Sequence, residues 1–160
     1  MTQPTARTLT GGAAHVRVVR RIAADPTSTA LLLAGPAAVE LWPGVHRVGE
    51  LDGRTLVEVD PEVEVGTRAT ASVTAFAPQR TPTAFVSRFA WSGPDLPATT
   101  ATLTLTYAPR VGGVVATAAV LQLDSTGPAG SRVDHAGLTR MAERFLSNLA
   151  RAAEQRAYAA

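Results

Sequence analysis

The sequence predicts an α+β domain in which a curved antiparallel sheet of six to seven strands wraps around one long C-terminal helix. Three observations carry this reading. Residues 99–107 alternate strictly, with Ala101, Leu103, Leu105 and Tyr107 on one face and Thr100, Thr102, Thr104 and Thr106 on the other. That is the period of a strand with one buried and one solvated side. From Leu138 the period changes: Leu138, Met141, Ala142, Phe145, Leu149, Ala152 and Ala153 recur at steps of three and four, which is one stripe of a helix. The order of elements is one strand, two short helical stretches, a run of strands and a final helix. A sheet with one apolar face and a helix with one apolar stripe each need the other.

In chain order, residues 1–12 read as a flexible lead-in and 13–160 as a single domain. The Val-rich run His15 to Ile22 is the first strand. Asp25-Pro26 can open a helix, because Asp accepts from orphan N–H groups and Pro suits the first turn. That helix is expected over Thr27 to Ala34. Gly35-Pro36 then starts a second short helix through Leu41. Trp42-Pro43-Gly44 is a turn, and Val45 to Leu51, Asp52-Gly53 and Thr55 to Val59 form a hairpin, since Asp-Gly suits a two-residue loop. Arg68 to Ala77, Thr83 to Trp91, Thr99 to Tyr107 and Val111 to Leu123 are strands of a meander, separated by Pro or Gly turns. Both alternating sets of the last are largely apolar, so its inward face is open. After the turn-rich Gly127 to Ser131, Asp134 is placed to cap a helix of about 20 residues or more, some 30 Å long.

Composition removes several classes of function. The chain has 160 residues and no cysteine, so disulfides, thiolate metal sites and cysteine nucleophiles are excluded. A chain of this length can build its core without a metal or disulfide staple. All 15 basic residues are Arg, which gives a pI of about 9.9 but a formal net charge of only +2. That excess is too small for a nucleic-acid footprint. Gly112-Gly113 precedes a strand rather than a helix, so it is no phosphate loop. No signal peptide or apolar run of membrane-spanning length is legible, and a cytoplasmic location is expected.

The segments Ile22-Ala23-Ala24-Asp25-Pro26, Leu31-Leu32-Leu33, Gly35-Pro36 and Trp42-Pro43-Gly44-Val45, with the closing block Leu138, Phe145, Leu149 and Ala152, are similar to the START-like helix-grip superfamily. This superfamily, also called SRPBCC or Bet v-like, includes polyketide cyclase/dehydrase and lipid-transport domains. The likeness covers residues 14–156 as an architecture, and its motifs are hydrophobic and turn residues rather than catalytic ones. Thr29-Ala30 stands where the family often has Val-Trp, and Asp25-Pro26 where it usually has Ala-Pro; the smaller Thr29-Ala30 pair either enlarges the space under the helix or merely loosens it. The carbon monoxide dehydrogenase G-subunit branch shares the Pro-Gly turn, but its additional early glycines are missing here. The resemblance implies a hydrophobic or aromatic small molecule held between sheet and helix, with no cofactor or metal. It also implies either cyclisation and dehydration of a polyketide-like chain or simple carriage of a lipid or quinone. A homodimer is compatible with it, and a protein-interaction module is the remaining alternative.

The pocket-lining candidates under this resemblance are Trp42, Phe85, Ser87, Phe89, Trp91, Leu103, Leu105, Met141, Phe145 and Leu149. The polar candidates for catalysis are Tyr107, Arg88 and His46. A Tyr hydroxyl can donate to a developing oxyanion, a guanidinium can hold a carboxylate or enolate, and an imidazole titrates near neutrality. Alternation argues against Arg88 in one respect: if Phe85 and Phe89 face inward, Arg88 faces solvent. Ser87 lies on the presumed inner face without a nucleophile-elbow pattern. His135, Glu40 and Asp60 form no recognisable acid–base pair in sequence.

Overall fold

The computed structural model describes residues 13–60, 69–93, 96–111, 113–126 and 135–159. Among them, seven strands form one antiparallel sheet: β1 (Ala13–Ile22), β2 (Val45–Leu51), β3 (Arg54–Val59), β4 (Ala69–Arg80), β5 (Ala84–Gly93), β6 (Leu96–Val111) and β7 (Val114–Thr126). Their order is β1-β7-β6-β5-β4-β3-β2, so the meander from β2 to β7 is closed on its far side by the first strand. Two α-helices, α1 (Pro26–Leu31) and α2 (His135–Ala159), and a 3-10 helix at Pro36–Leu41 complete the chain. This is the helix-grip α+β architecture that the alternation and the terminal stripe predict. The proposed lead-in at 1–12, the turn at 127–131 and the Asp134 cap lie outside the described residues.

Local chemistry explains the boundaries. Asp25 caps α1 by accepting from the Ser28 N–H at 2.7 Å, with Pro26 in the first turn. The helix stops at Leu31, three residues short of the sequence expectation, as the Leu32 and Leu33 N–H groups donate to the i−3 carbonyls of Thr29 and Ala30 and tighten the last turn. Asp52 and Gly53 have φ of 51° and 76°, the signature of a two-residue type I′ hairpin turn. The β6–β7 hairpin turns later than expected, with Val111 opposite Val114 and Gly113 at φ 80°.

The open question about the last strand is resolved by burial. Thr117, Ala119, Leu121, Leu123 and Ser125 of β7 are buried, so the odd-numbered residues point toward the helix. They meet Ala101, Leu103 and Leu105 of β6, which are buried as the Thr alternation requires. From α2, Ala142, Phe145, Leu146, Leu149, Ala150 and Ala153 enter this core. Leu146 and Ala150 widen the apolar stripe beyond the narrower one read from the sequence.

The helix leans on β1 and β7, the first-strand side of the sheet. It does not lie along the middle. The span toward β4, β5 and β6 is covered instead by α1 and the 3-10 helix. Three bonds fix these covers. The buried Thr117 hydroxyl donates to the Ala24 carbonyl at 2.6 Å, the Asn148 amide donates to the Leu41 carbonyl at 2.8 Å, and the Ala23 N–H donates to the Glu154 carboxylate at 2.8 Å. Two of the three partners sit on α2, so the helix and its covers are held as a unit.

Candidate functional site

The 3-10 helix ends at Leu41, and its next residue, Trp42, adopts an extended backbone that drives the indole down between α2 and β5. There it stacks on Phe145 of α2, with ring centroids 4.1 Å apart and planes at 29°. On its other sides it meets Phe89 and Trp91 of β5 edge-on, at 5.7 and 5.5 Å. Phe89 and Phe145 are themselves 6.0 Å apart at a steep angle. Four of the eight aromatic residues therefore form one cluster where the helix has moved off the middle of the sheet. Such pairs contribute about 0.5–1.5 kcal/mol each beyond area burial.

This cluster carries an unusual polar signature. The indole N–H groups of Trp42 and Trp91 and the Ser87 hydroxyl are buried with no hydrogen-bond partner among the described residues. Buried indoles and hydroxyls are ordinarily satisfied, because leaving one unpaired costs roughly 1–3 kcal/mol. Ser87, Phe89 and Trp91 are successive inward residues of β5, so all three unpaired groups belong to one wall and the residue stacked against it. Other buried hydroxyls are engaged: Thr99 with Ser125 at 2.9 Å, and Thr29 with the Asp25 carbonyl at 2.8 Å.

The remaining candidates distribute as follows. Leu103, Leu105 and Leu149 are fully buried in the same hydrophobic core, and Phe85 and Met141 pack against that core half-buried. Arg88 is exposed on the opposite face of β5, as alternation required. Tyr107 continues the inward row of β6, opposite Thr117, but lies beyond the first residue of β5 and is 65% exposed. His46 is exposed on β2, where its Nε2 lies 3.0 Å from the Asp60 carboxylate. Asp60 also donates its N–H to the Gly44 carbonyl, so this pair fastens the Trp42-Pro43-Gly44 turn to the end of β3. Arg88 and His46 thus share the outer face but lie three strands apart, on β5 and on the edge strand β2, while Tyr107 continues the inward row of β6, so the three do not converge.

Trp91 and Trp42 were legible as aromatic core residues, but not as unpaired donors. The signal lay in the spacing Ser87–Phe89–Trp91, which places a hydroxyl and an indole on one face of a strand whose cover is aromatic. Among the described residues no group of three or more His, Asp or Glu is placed to hold a metal ion, and no helix is long and apolar enough to cross a membrane.

No family model matches the chain, and no curated protein is similar to it in sequence. Solved structures do share its fold. A conserved protein from Geobacillus kaustophilus superposes with a TM-score of 0.61 at 8% identity, over 88% of this chain and 95% of its own. The ZhuI aromatase/cyclase from Streptomyces sp. R1128 gives 0.52 at 16% identity, over 91% and 96%. The di-domain aromatase/cyclase StfQ of the steffimycin biosynthetic pathway gives 0.58 at 17%, over 89% of this chain and 46% of its own. At these identities the likeness is one of fold: the chain shares a helix-grip architecture with aromatase/cyclase proteins.

Proposed function

We propose that the protein binds a flat, largely apolar small molecule bearing acceptor oxygens, between the sheet and α2 at the Trp42–Trp91–Ser87 wall. The observation that carries this reading is the set of three unpaired polar groups in an aromatic, buried setting. Apolar surroundings with a few polar groups are the general form of small-molecule sites. Two indole N–H donors and a hydroxyl suit a carbonyl or phenol oxygen, and they hydrogen-bond without changing charge near neutrality. A ligand ring would meet these aromatic side chains by edge and face contacts of the kind they make with one another. Binding and orientation are what these groups do best.

A second reading is favoured by the fold shared with aromatase/cyclases. Here the same wall folds a polyketide-like chain for aldol cyclisation and dehydration, and the donors polarise the carbonyl that is attacked. Of the three polar candidates, only Tyr107 would then act, from the end of its inward row, because Arg88 and His46 lie on the outer face of the sheet.

Tryptophan fluorescence tests the binding reading, because both indoles lie in the wall. Titration with 1-hydroxyanthraquinone is expected to quench saturably, and anthracene, with the same shape and no oxygen, to bind at least tenfold more weakly. Absence of saturable quenching, or equal binding of both, overturns the reading. Ring closure of a poly-β-ketone probe above its spontaneous rate, lost in Ser87→Ala, would establish the second.

A further inference from the structure

The opposite face of the sheet holds a second feature that the interior does not explain. Phe76 of β4 pairs with Arg88 of β5, but the next pair is Gln79 with Val86. Residues 77 and 78 therefore oppose the single residue Ser87, a β-bulge with Pro78 inside it. Bulges bend a strand and re-aim its side chains. Here the result is a shallow pocket of about 100 Å³ lined by Phe76, Gln79, Val86 and Arg88.

The lining has a definite chemistry. Phe76 is 52% exposed, a large ring turned to solvent on a face otherwise rich in Thr. Arg88 makes no ion pair among the described residues, and the outer-face carboxylate two strands away, Asp124, is engaged by His15 at 2.6 Å. Arg80, the other cation at this end of the two strands, lies over the Phe85 ring at 5.6 Å. One guanidinium is thus available to one negative charge. Its planar fork matches a carboxylate, the Gln79 amide adds a donor, and Phe76 with Val86 offers an apolar platform. The volume corresponds to roughly three waters at about 30 Å³ each, enough for a carboxylate and part of a ring, with the remainder against Phe76.

We infer that this bulge pocket is a binding site for a small aromatic monocarboxylate, with Arg88 receiving the anion and Phe76 stacking on the ring. The site is separate from the interior wall, since Arg88 and Ser87 are adjacent residues pointing to opposite faces of β5. It holds whether or not the interior binds a ligand.

Backbone and side-chain amide NMR of the full chain, titrated with sodium benzoate at constant ionic strength, tests it. Saturable shifts are expected at Phe76, Gln79, Val86 and Arg88, with Trp42 and Trp91 unmoved. Acetate, which lacks the ring, and benzyl alcohol, which lacks the charge, are each expected to bind at least tenfold more weakly. Arg88→Gln should weaken benzoate binding about tenfold with an otherwise unchanged spectrum. Phe76→Ala should weaken benzoate but leave acetate as it was. Shifts centred on Trp42 and Trp91, no saturation, or undiminished binding in Arg88→Gln would each overturn the inference.

Discussion

The indole of Trp42 stacks on the ring of Phe145 at 4.1 Å, which joins the turn after the 3-10 helix to the C-terminal helix. The contact fills the place where α2 has leaned away from the middle of the sheet. Without it, Phe89 and Trp91 would lose their shared neighbour. Trp42→Ala is therefore expected to cost about 3–5 kcal/mol, the range for removing a buried Trp or Phe. Trp42→Phe, which keeps the stack and removes the unpaired N–H, should cost far less. Urea denaturation of both variants checks this, and a loss below about 1 kcal/mol for Trp42→Ala would show that the cluster is not structural.

Two buried hydroxyls should respond in opposite ways to removal. The Thr117 hydroxyl donates to the Ala24 carbonyl at 2.6 Å, whereas Ser87 Oγ has no partner among the described residues. Thr117→Val keeps the shape but leaves a carbonyl unpaired, an expected loss of about 1–3 kcal/mol. Ser87→Ala removes an unpaired group from an apolar setting and is expected to be neutral or stabilising by up to about 1 kcal/mol. Thermal unfolding of the pair without added ligand checks the contrast; a destabilised Ser87→Ala would mean that the hydroxyl is paired after all.

Much of this fold is legible in residue order, for reasons visible in particular elements. The Thr/apolar alternation of β6 has only one register that buries Leu103 and Leu105, so the face of that strand is fixed by its own residues. Asp25-Pro26 and Asp52-Gly53 mark their helix start and hairpin because each turn chemistry is local. The direction in which α2 leans is not local, since it depends on how widely the sheet opens. For that reason Leu146 and Ala150 fell outside the stripe read from the sequence. The site follows the same division: alternation placed Ser87, Phe89 and Trp91 on one face and Arg88 on the other. It could not show that Trp42 would arrive from a different element and leave three polar groups unpaired. Nor could it place Tyr107, which continues an inward row but passes the point where the neighbouring strand begins.

Gly93 stands where no side chain fits. A Cβ there would lie 2.7 Å from the Thr70 carbonyl oxygen and 3.3 Å from Ala71 Cα, both backbone atoms that cannot rotate away. The residue sits at the register shift that ends β5, two positions after Trp91. Gly93→Ala is expected to cost about 1–3 kcal/mol by forcing β4 and β5 apart. The strain should also shift the emission of Trp91, its neighbour along the strand, which fluorescence in Trp42→Phe, the single-tryptophan background, would read. An unchanged stability in Gly93→Ala would mean that β4 is free to move at Thr70.

Asn148 ties the cover of the site to its floor. Its side-chain amide donates to the Leu41 carbonyl at 2.8 Å, across 107 positions of sequence, and Leu41 immediately precedes Trp42. The bond holds the end of the 3-10 helix against α2 one turn beyond Phe145, so it sets how deeply the indole enters. Asn148→Asp replaces the donor with an acceptor facing a carbonyl oxygen, and the pair then repels. It is expected to lose about 1–2 kcal/mol of stability and to weaken 1-hydroxyanthraquinone binding more than anthracene binding, because the displaced Trp42 N–H no longer meets the oxygen. Asn148→Gln retains the amide on a longer stem and should restore part of both. If Asn148→Asp weakens the two ligands equally, Asn148 acts on the fold alone and has no part in aiming Trp42.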